Sequence, residues 1–296
     1  MMRVWRIAAV LALTWAASGC GIKFAYNNLD RFAHWTMDDY MSLDPQQQAY
    51  FDAQLDVLLY WHRTTQLPRY AAQLRQADRA LADGASVEEL YVFRDDIEQS
   101  WRAIQSAALP MMSELLYSAS DVQLDQFVAQ YAKDTEKYNR PYVKLSLEKR
   151  RARWAKEYRE GMEYFTGRLS KQQRELIASF QDRYVPDEGA WAAYRERYGK
   201  ALVALVRKRE PYAKFALQLK EMVLNRENWY GEAYRASLDA NAALYADVSV
   251  ALLNSLDTTQ HARLAARLEE IADDFVELSQ ELPENAPTAG CLVTCT

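Results

Sequence analysis

Apolar residues recur every three or four positions through nearly the whole chain. Leu90, Phe93, Ile97, Trp101, Ile104 and Ala108 step in this way, and Leu264, Leu268, Ile271, Phe275 and Leu278 alternate steps of four and three. Such spacing draws one apolar stripe along one side of an α-helix, and the stripe has to be covered by a neighbour. No segment shows the apolar–polar alternation of a strand. The pattern therefore predicts an all-α fold, an elongated multi-helix bundle. Prolines punctuate it. Pro45, Pro68, Pro141, Pro186 and Pro211 each stand near the start of a periodic segment, where a missing N–H costs nothing. Pro110 falls inside a continuous pattern that it should kink or split. Periodicity fades in "ELPENAPTAG", so residues 283–296 read as an irregular tail.

A repeat overlies the periodicity. "LLYSASDVQLDQFVAQY" (115–131) and "LLNSLDTTQHARLAARL" (252–268) share Leu-Leu-x-Ser, a Ser or Asp two residues later, and a Gln three beyond that. Shorter copies, "SLDPQQ" (42–47) and "RLSKQQ" (168–173), stand earlier in each half. The copies start at Leu43, Ala119, Leu169 and Leu256, so equivalent copies lie 126 and 137 residues apart. In each, a Ser or Asp can cap a helix by accepting a hydrogen bond from its first turn. The Gln three residues on can reach back to the cap's own N–H. Asp44 with Gln47, Ser120 with Gln123, Ser170 with Gln173 and Asp257 with Gln260 fit this capping box. The reading is two duplicated helical halves, 42–140 and 141–282, each with two motif-led helices.

The start of the chain has a different pattern. Arg3 and Arg6 precede eleven apolar or small residues, Ile7 to Ala17. That is too short to span a hydrocarbon core, which takes ~20 residues, and suits the apolar region of a secretory signal. Ala17, Ser18, Gly19 and Cys20 follow, which resembles the bacterial lipobox, cut just before a cysteine that becomes acylated. The resemblance implies a signal peptide at 1–19, a lipidated Cys20, and a stretch 20–41 carrying the anchor and a first helix. In such lipoproteins an Asp after the cysteine favours the inner membrane. Gly21 stands there instead, which points to the outer membrane with the body facing the periplasm of a Gram-negative bacterium. Two or three acyl chains hold a protein stably.

Charge narrows the partners. Without the first nineteen residues, 34 basic residues face 41 acidic ones, a net charge of −7. This argues against nucleic acid, which selects a basic field. Past Cys20 only Cys291 and Cys295 remain. An oxidising periplasm permits a disulfide between them; free tail thiols or a metal site, which would need two further ligands, are the other readings. Neither a metal nor a cofactor is expected.

Candidate chemistry is sparse. Ser146 and Lys149 form an SxxK without its usual companions, and none of His34, His62 and His261 has a Glu three residues before it, as a di-iron bundle requires. The adjacent pairs Asp38–Asp39, Asp95–Asp96 and Asp273–Asp274 point about 100° apart on a helix and read as solvated surface. An enzyme is therefore not expected, and a hydrolase of envelope polymers is the remote alternative. One stretch stands out, "KLSLEKRRARWAKEYREGMEYF" (144–165). Lys149, Arg150, Arg151, Arg153, Lys156 and Arg159 could face an anionic partner, or be salt-bridged along the helix to Glu148, Glu157 and Glu160. Trp154 reads as core.

Leu-(Thr/Ser/Asp)-x-x-Gln resembles the motif of the Spy/CpxP group of periplasmic helical proteins. These carry two copies per subunit and dimerise into a curved cradle, and some act as chaperones without ATP. Four copies here would make one chain the counterpart of such a dimer. "GIKFAYNNLDRFAHWTMDDYMSLDPQQ" resembles the start of a family of proteobacterial lipoproteins of unknown function, a resemblance that covers most of the chain. Together these imply a lipid-anchored scaffold, chaperone-like towards unfolded or envelope proteins. An adaptor for one specific envelope partner is the alternative, and the oligomeric state is left open.

Overall fold

The computed structural model describes residues 20–81 and 84–281. The leader 1–19 and the tail with Cys291 and Cys295 lie outside these residues. The described chain is helical, with no strands, and forms an elongated bundle. A first pair of helices, α1 (Cys20–Tyr26) and α2 (Leu29–Tyr40), leads to α3 (Pro45–Trp61). A π-helical turn over His62–Gln66 joins α3 to α4 (Leu67–Ala80). Then come α5 (Val87–Ser118) and α6 (Asp121–Val143). The second half holds α7 (Leu147–Thr166), α8 (Lys171–Phe180), α9 (Glu188–Arg207), α10 (Tyr212–Leu224), α11 (Glu232–Leu253) and α12 (Thr258–Gln280).

Helix order and packing correspond between the halves. In the first, α2 packs on α6 and α3 on α5; in the second, α7 packs on α12 and α8 on α11. The helix that follows each leading motif helix crosses over. Thus α4 packs on α12, and α9 packs on α6. The first crossing is fastened by Arg75, whose guanidinium donates to Glu269 at 2.8 Å and to Asp273 at 2.6 Å. In the second, Arg195 lies over the Tyr131 ring at 3.8 Å and donates to Thr135 Oγ1 at 2.8 Å. Gly199 matters at this crossing, because a Cβ there would come within 2.9 Å of Tyr131. Helix α10 has no counterpart in the first half. It packs on α5, where Gln105 Nε2 donates to the Val223 carbonyl at 3.2 Å.

Burial follows these contacts. One core joins the halves, with Leu109, Leu116 and Leu124 against Leu202, Val206, Phe215 and Leu219. A second belongs to the second half: Trp154, Leu169, Ile177, Tyr184, Leu244, Val248 and Leu252. A third sets Leu264 and Leu268 of α12 against Leu74 and Leu90.

Four expectations are corrected. Helix α5 runs unsplit through Pro110, and Pro141 lies in the last turn of α6 instead of opening a helix. Near a C-terminus a proline disturbs only the final hydrogen bonds of its helix. The apolar stripe of α5 is only half-buried, with Ile97 54% exposed, while Ser100, Gln105, Leu109, Ser113 and Leu116 are buried more deeply. The two serines reach the interior by donating to their own helix, Ser100 to the Asp96 carbonyl and Ser113 to the Leu109 carbonyl. Lastly, Asp274 is buried, not solvated.

Candidate functional site

The four motifs organise the molecule from the helix ends inward. Asp44, Ser120, Ser170 and Asp257 are N-caps, each accepting from the backbone N–H three residues on, and each motif Gln accepts from its cap's N–H in return. The side-chain nitrogens of the same glutamines complete a second arrangement. Gln123 Nε2 donates to Gln47 Oε1 at 2.6 Å and to the Ser42 carbonyl at 2.7 Å. Gln47 Nε2 donates to the Ser118 carbonyl at 3.3 Å. In the second half, Gln173 Nε2 donates to Gln260 Oε1 at 2.7 Å and to the Ser255 carbonyl at 2.9 Å. Gln260 Nε2 donates back to Gln173 Oε1 at 3.0 Å and to the Arg168 carbonyl at 3.1 Å. Each accepting carbonyl stands two residues before a motif cap. Two helix starts are thus locked face to face by buried amides, once per half. The preceding residues Ala119 and Leu169 are 1% exposed and seal the joints. Ser86 and Glu89 form a further capping box, at α5.

The basic helix α7 starts at Ser146, whose hydroxyl accepts from the Lys149 N–H at 3.3 Å. The SxxK spacing is therefore that of a helix cap. The helix stops at Gly167, whose φ of 77° suits glycine alone. Trp154 is 4% exposed and stacks on Tyr158 and Tyr184. The cations divide by position. Arg150 faces Glu188 at 3.4 Å, a carboxylate only 4% exposed. Arg151 donates to the Tyr184 carbonyl and to Asp182. Arg153 pairs with Glu157 at 2.7 Å and lies over the Tyr142 ring. Among the described residues, the ion pairs of Lys156 and Arg159 are long, 3.7–3.8 Å, to Glu160 and Glu163. Lys149 is exposed.

A cleft of about 170 Å³ opens between α7 and α8. Ala152, Ala155, Ala178 and Ile177 line it, with Lys156, Arg159 and Arg174 around them. Small residues on both helices leave the space. Arg174 donates to the Leu169 carbonyl and is within ion-pair distance of no carboxylate among the described residues. The buried Nε of Arg159 has no hydrogen-bond partner. Three cations around a small cleft suit an anionic group. The sequence flagged Lys156 and Arg159; Arg174, on another helix, becomes their neighbour only through the fold.

A half-buried polar joint sits where α1 meets the π-helical turn. The Tyr26 hydroxyl is 2.9 Å from His62 Nδ1, and the Tyr70 hydroxyl is 3.4 Å from His62 Nε2. A neutral imidazole donates through one nitrogen and accepts at the other. Burial, with Arg63 beside it, lowers the His62 pKa to about 4. Burial likewise pushes the Tyr70 phenol up to about 12. Arg63 spans the joint, donating to Asn27 Oδ1 at 2.7 Å and to the Leu278 carbonyl at 2.9 Å. Asp274 lies nearby, its carboxyl raised by burial and partly offset by Lys23 at 3.5 Å. His34 is half-exposed, bonded to the Asp30 carbonyl and to Asp52, which together raise its pKa. Among the described residues, no three His, Cys, Asp or Glu side chains are grouped to hold a metal ion, and no helix is long and apolar enough to cross a membrane.

These contacts define an all-α protein whose two halves exchange helices across paired, glutamine-locked helix starts. The chain belongs to DUF6279, a family of unknown function, whose match covers residues 39–235. That stretch takes in the first three motifs and ends within α11, before the fourth. No curated protein and no solved structure matches the chain.

Proposed function

We propose that this protein is a lipid-anchored helical scaffold of a Gram-negative envelope, facing the periplasm from the outer membrane, which holds an anionic partner at the cleft between α7 and α8. The observation that carries the binding role is the grouping of Lys156, Arg159 and Arg174 around that cleft, with no carboxylate paired to Arg174 among the described residues. The anchor is supported by the charged leader and by the resemblance of Ala17-Ser18-Gly19-Cys20 to a lipobox. The likeness to the Spy/CpxP group is supported by four motif copies set as two glutamine-linked pairs, twice the number of copies that a subunit of that group carries. On this reading the clients are acidic segments of unfolded or envelope proteins.

Titration of the chain with a fluorescently labelled, unfolded acidic polypeptide tests this. Lys156→Gln with Arg174→Gln should weaken binding at least tenfold at low salt, and raising the salt should weaken the parent too, as the Debye length shrinks from ~10 Å at 0.1 M to ~3 Å at 1 M. Equal binding by parent and variant would remove the cleft from the function. An adaptor is the second reading, because the cleft is small enough to suit one specific group. Suppression of client aggregation by the parent would favour the chaperone-like role over the adaptor.

A further inference from the structure

Apart from Tyr212 on α10, the exposed large apolar side chains of the described residues are aliphatic, except near the start of the described chain. There Phe24, Phe32 and Trp35 are 62%, 44% and 65% exposed, and Phe32 meets Trp35 edge to face with ring centroids 5.6 Å apart. Phe32, Trp35 and Asp39 follow one helical stripe of α2, in line with Asn28 just before it, so the aromatics take the end nearest α1 and Asp39 lies about 6 Å beyond Trp35. Asp30 and Arg31, both exposed, stand in the first turn of α2 beside the aromatics.

The helices carrying this face are not a loose spacer. Helix α1 begins at Cys20 itself and packs on α12. Lys23 pairs with Asp274 and Glu277, Asn27 accepts from Arg63, and Tyr26 is bonded to His62. Asn28 Nδ2 donates to the Phe24 carbonyl at 2.8 Å and fixes the corner between α1 and α2. On the anchored reading the mature chain starts at the acylated Cys20, four residues before Phe24. Whatever holds Cys20 at a bilayer holds Phe24 within about 6 Å of the same surface.

We propose that Phe24, Phe32 and Trp35 form a membrane-contact face that inserts into the headgroup–acyl boundary of a lipid bilayer, so that the body rests directly on the membrane. The proposal rests on the anchored reading above. Aromatic side chains favour that boundary, where an apolar ring and a polar edge are both accommodated. Asp39, at the far end of the stripe, stays in water and tilts α2 away from the surface. The docked α1 then fixes which side of the bundle faces the periplasm.

Tryptophan quenching by bromine-labelled lipids reads this contact. The acylated chain is placed in vesicles of phosphatidylethanolamine and phosphatidylglycerol brominated near the top of the acyl chains. The parent should be quenched, and Trp35→Phe should remove most of the quenching, since Trp35 is 65% exposed while Trp154 and Trp191 are buried in the cores and Trp61, Trp101 and Trp229 are half-buried. Phe24→Ser with Phe32→Ser, which keeps Trp35, should at least halve it. If the parent floats with the vesicles but Trp35→Phe leaves its quenching unchanged, the face does not touch the bilayer. The proposal then falls while the anchor stands. If the parent incorporates no acyl chain, the anchor reading falls, and the face is judged on the Cys20→Ser chain in the same vesicles. There, quenching that depends on Trp35 supports the contact, and its absence overturns it.

Discussion

Arg150 and Arg153 sit three residues apart on α7 and should respond differently to the same substitution. Arg150 compensates Glu188, a carboxylate that is 4% exposed, whereas Arg153 joins an exposed pair with Glu157. Breaking a fully buried pair costs ~3–5 kcal/mol. Arg150 is itself a quarter exposed, so Arg150→Gln should cost about 2–3 kcal/mol in chemical denaturation. Arg153→Gln should cost less than ~1 kcal/mol. His62 makes a pH-dependent contribution. Its folded pKa, about 4, lies below the ordinary value of 6.5. Its contribution is therefore complete above pH 6.5 and is lost as pH falls from there through about 4, because the unfolded chain takes up a proton that the folded chain refuses. Relative to its value at pH 7, stability should fall by about 2–3 kcal/mol on this account. His62→Gln removes that slope, so the stability gap between parent and variant should narrow from pH 7 to pH 5. A constant gap would mean that the ring is not held neutral. The basic character of α7 was legible in the sequence, as one-dimensional charge density always is. Which charges are spent internally was not, since Glu188 and Arg174 belong to other helices.

Helix starts were the most legible elements, because a capping box is settled within four residues of one another. The function of the motif beyond capping was not legible. The partners of the glutamine nitrogens lie 71 to 92 residues away, and only tertiary structure supplies them. This separation of roles is measurable. Ser120→Ala removes one cap and should cost ~1 kcal/mol. Gln123→Ala removes the box bond and also leaves the buried Gln47 amide short of a partner, so it should cost about 2–3 kcal/mol. Gln123→Glu should be worse still, since a carboxylate cannot donate to the Ser42 carbonyl. A double-mutant cycle on Gln47 and Gln123 should show coupling; two additive losses would mean that the helix starts are capped independently. The periodic rule had its clearest failure on α5. Small polar residues bonded to their own helix entered the core, and Ile97 was left outside.

At the scale of the molecule, the exchange of α4 onto α12 and of α9 onto α6 makes each half complete only with the other. Unfolding should therefore be one cooperative transition, seen alike by tryptophan fluorescence and far-UV dichroism. Two separated transitions would show that the halves fold alone. The all-α class was legible from periodicity. The exchange was not, because an apolar stripe does not say which helix covers it. The proposed function places the bundle at a membrane through Cys20, and metabolic labelling with palmitate followed by membrane fractionation measures that most directly. The parent chain should be labelled and recovered with the outer membrane, and Cys20→Ser should be unlabelled and unprocessed. A parent that matures without label, or a Cys20→Ser chain that still incorporates palmitate, would contradict the account.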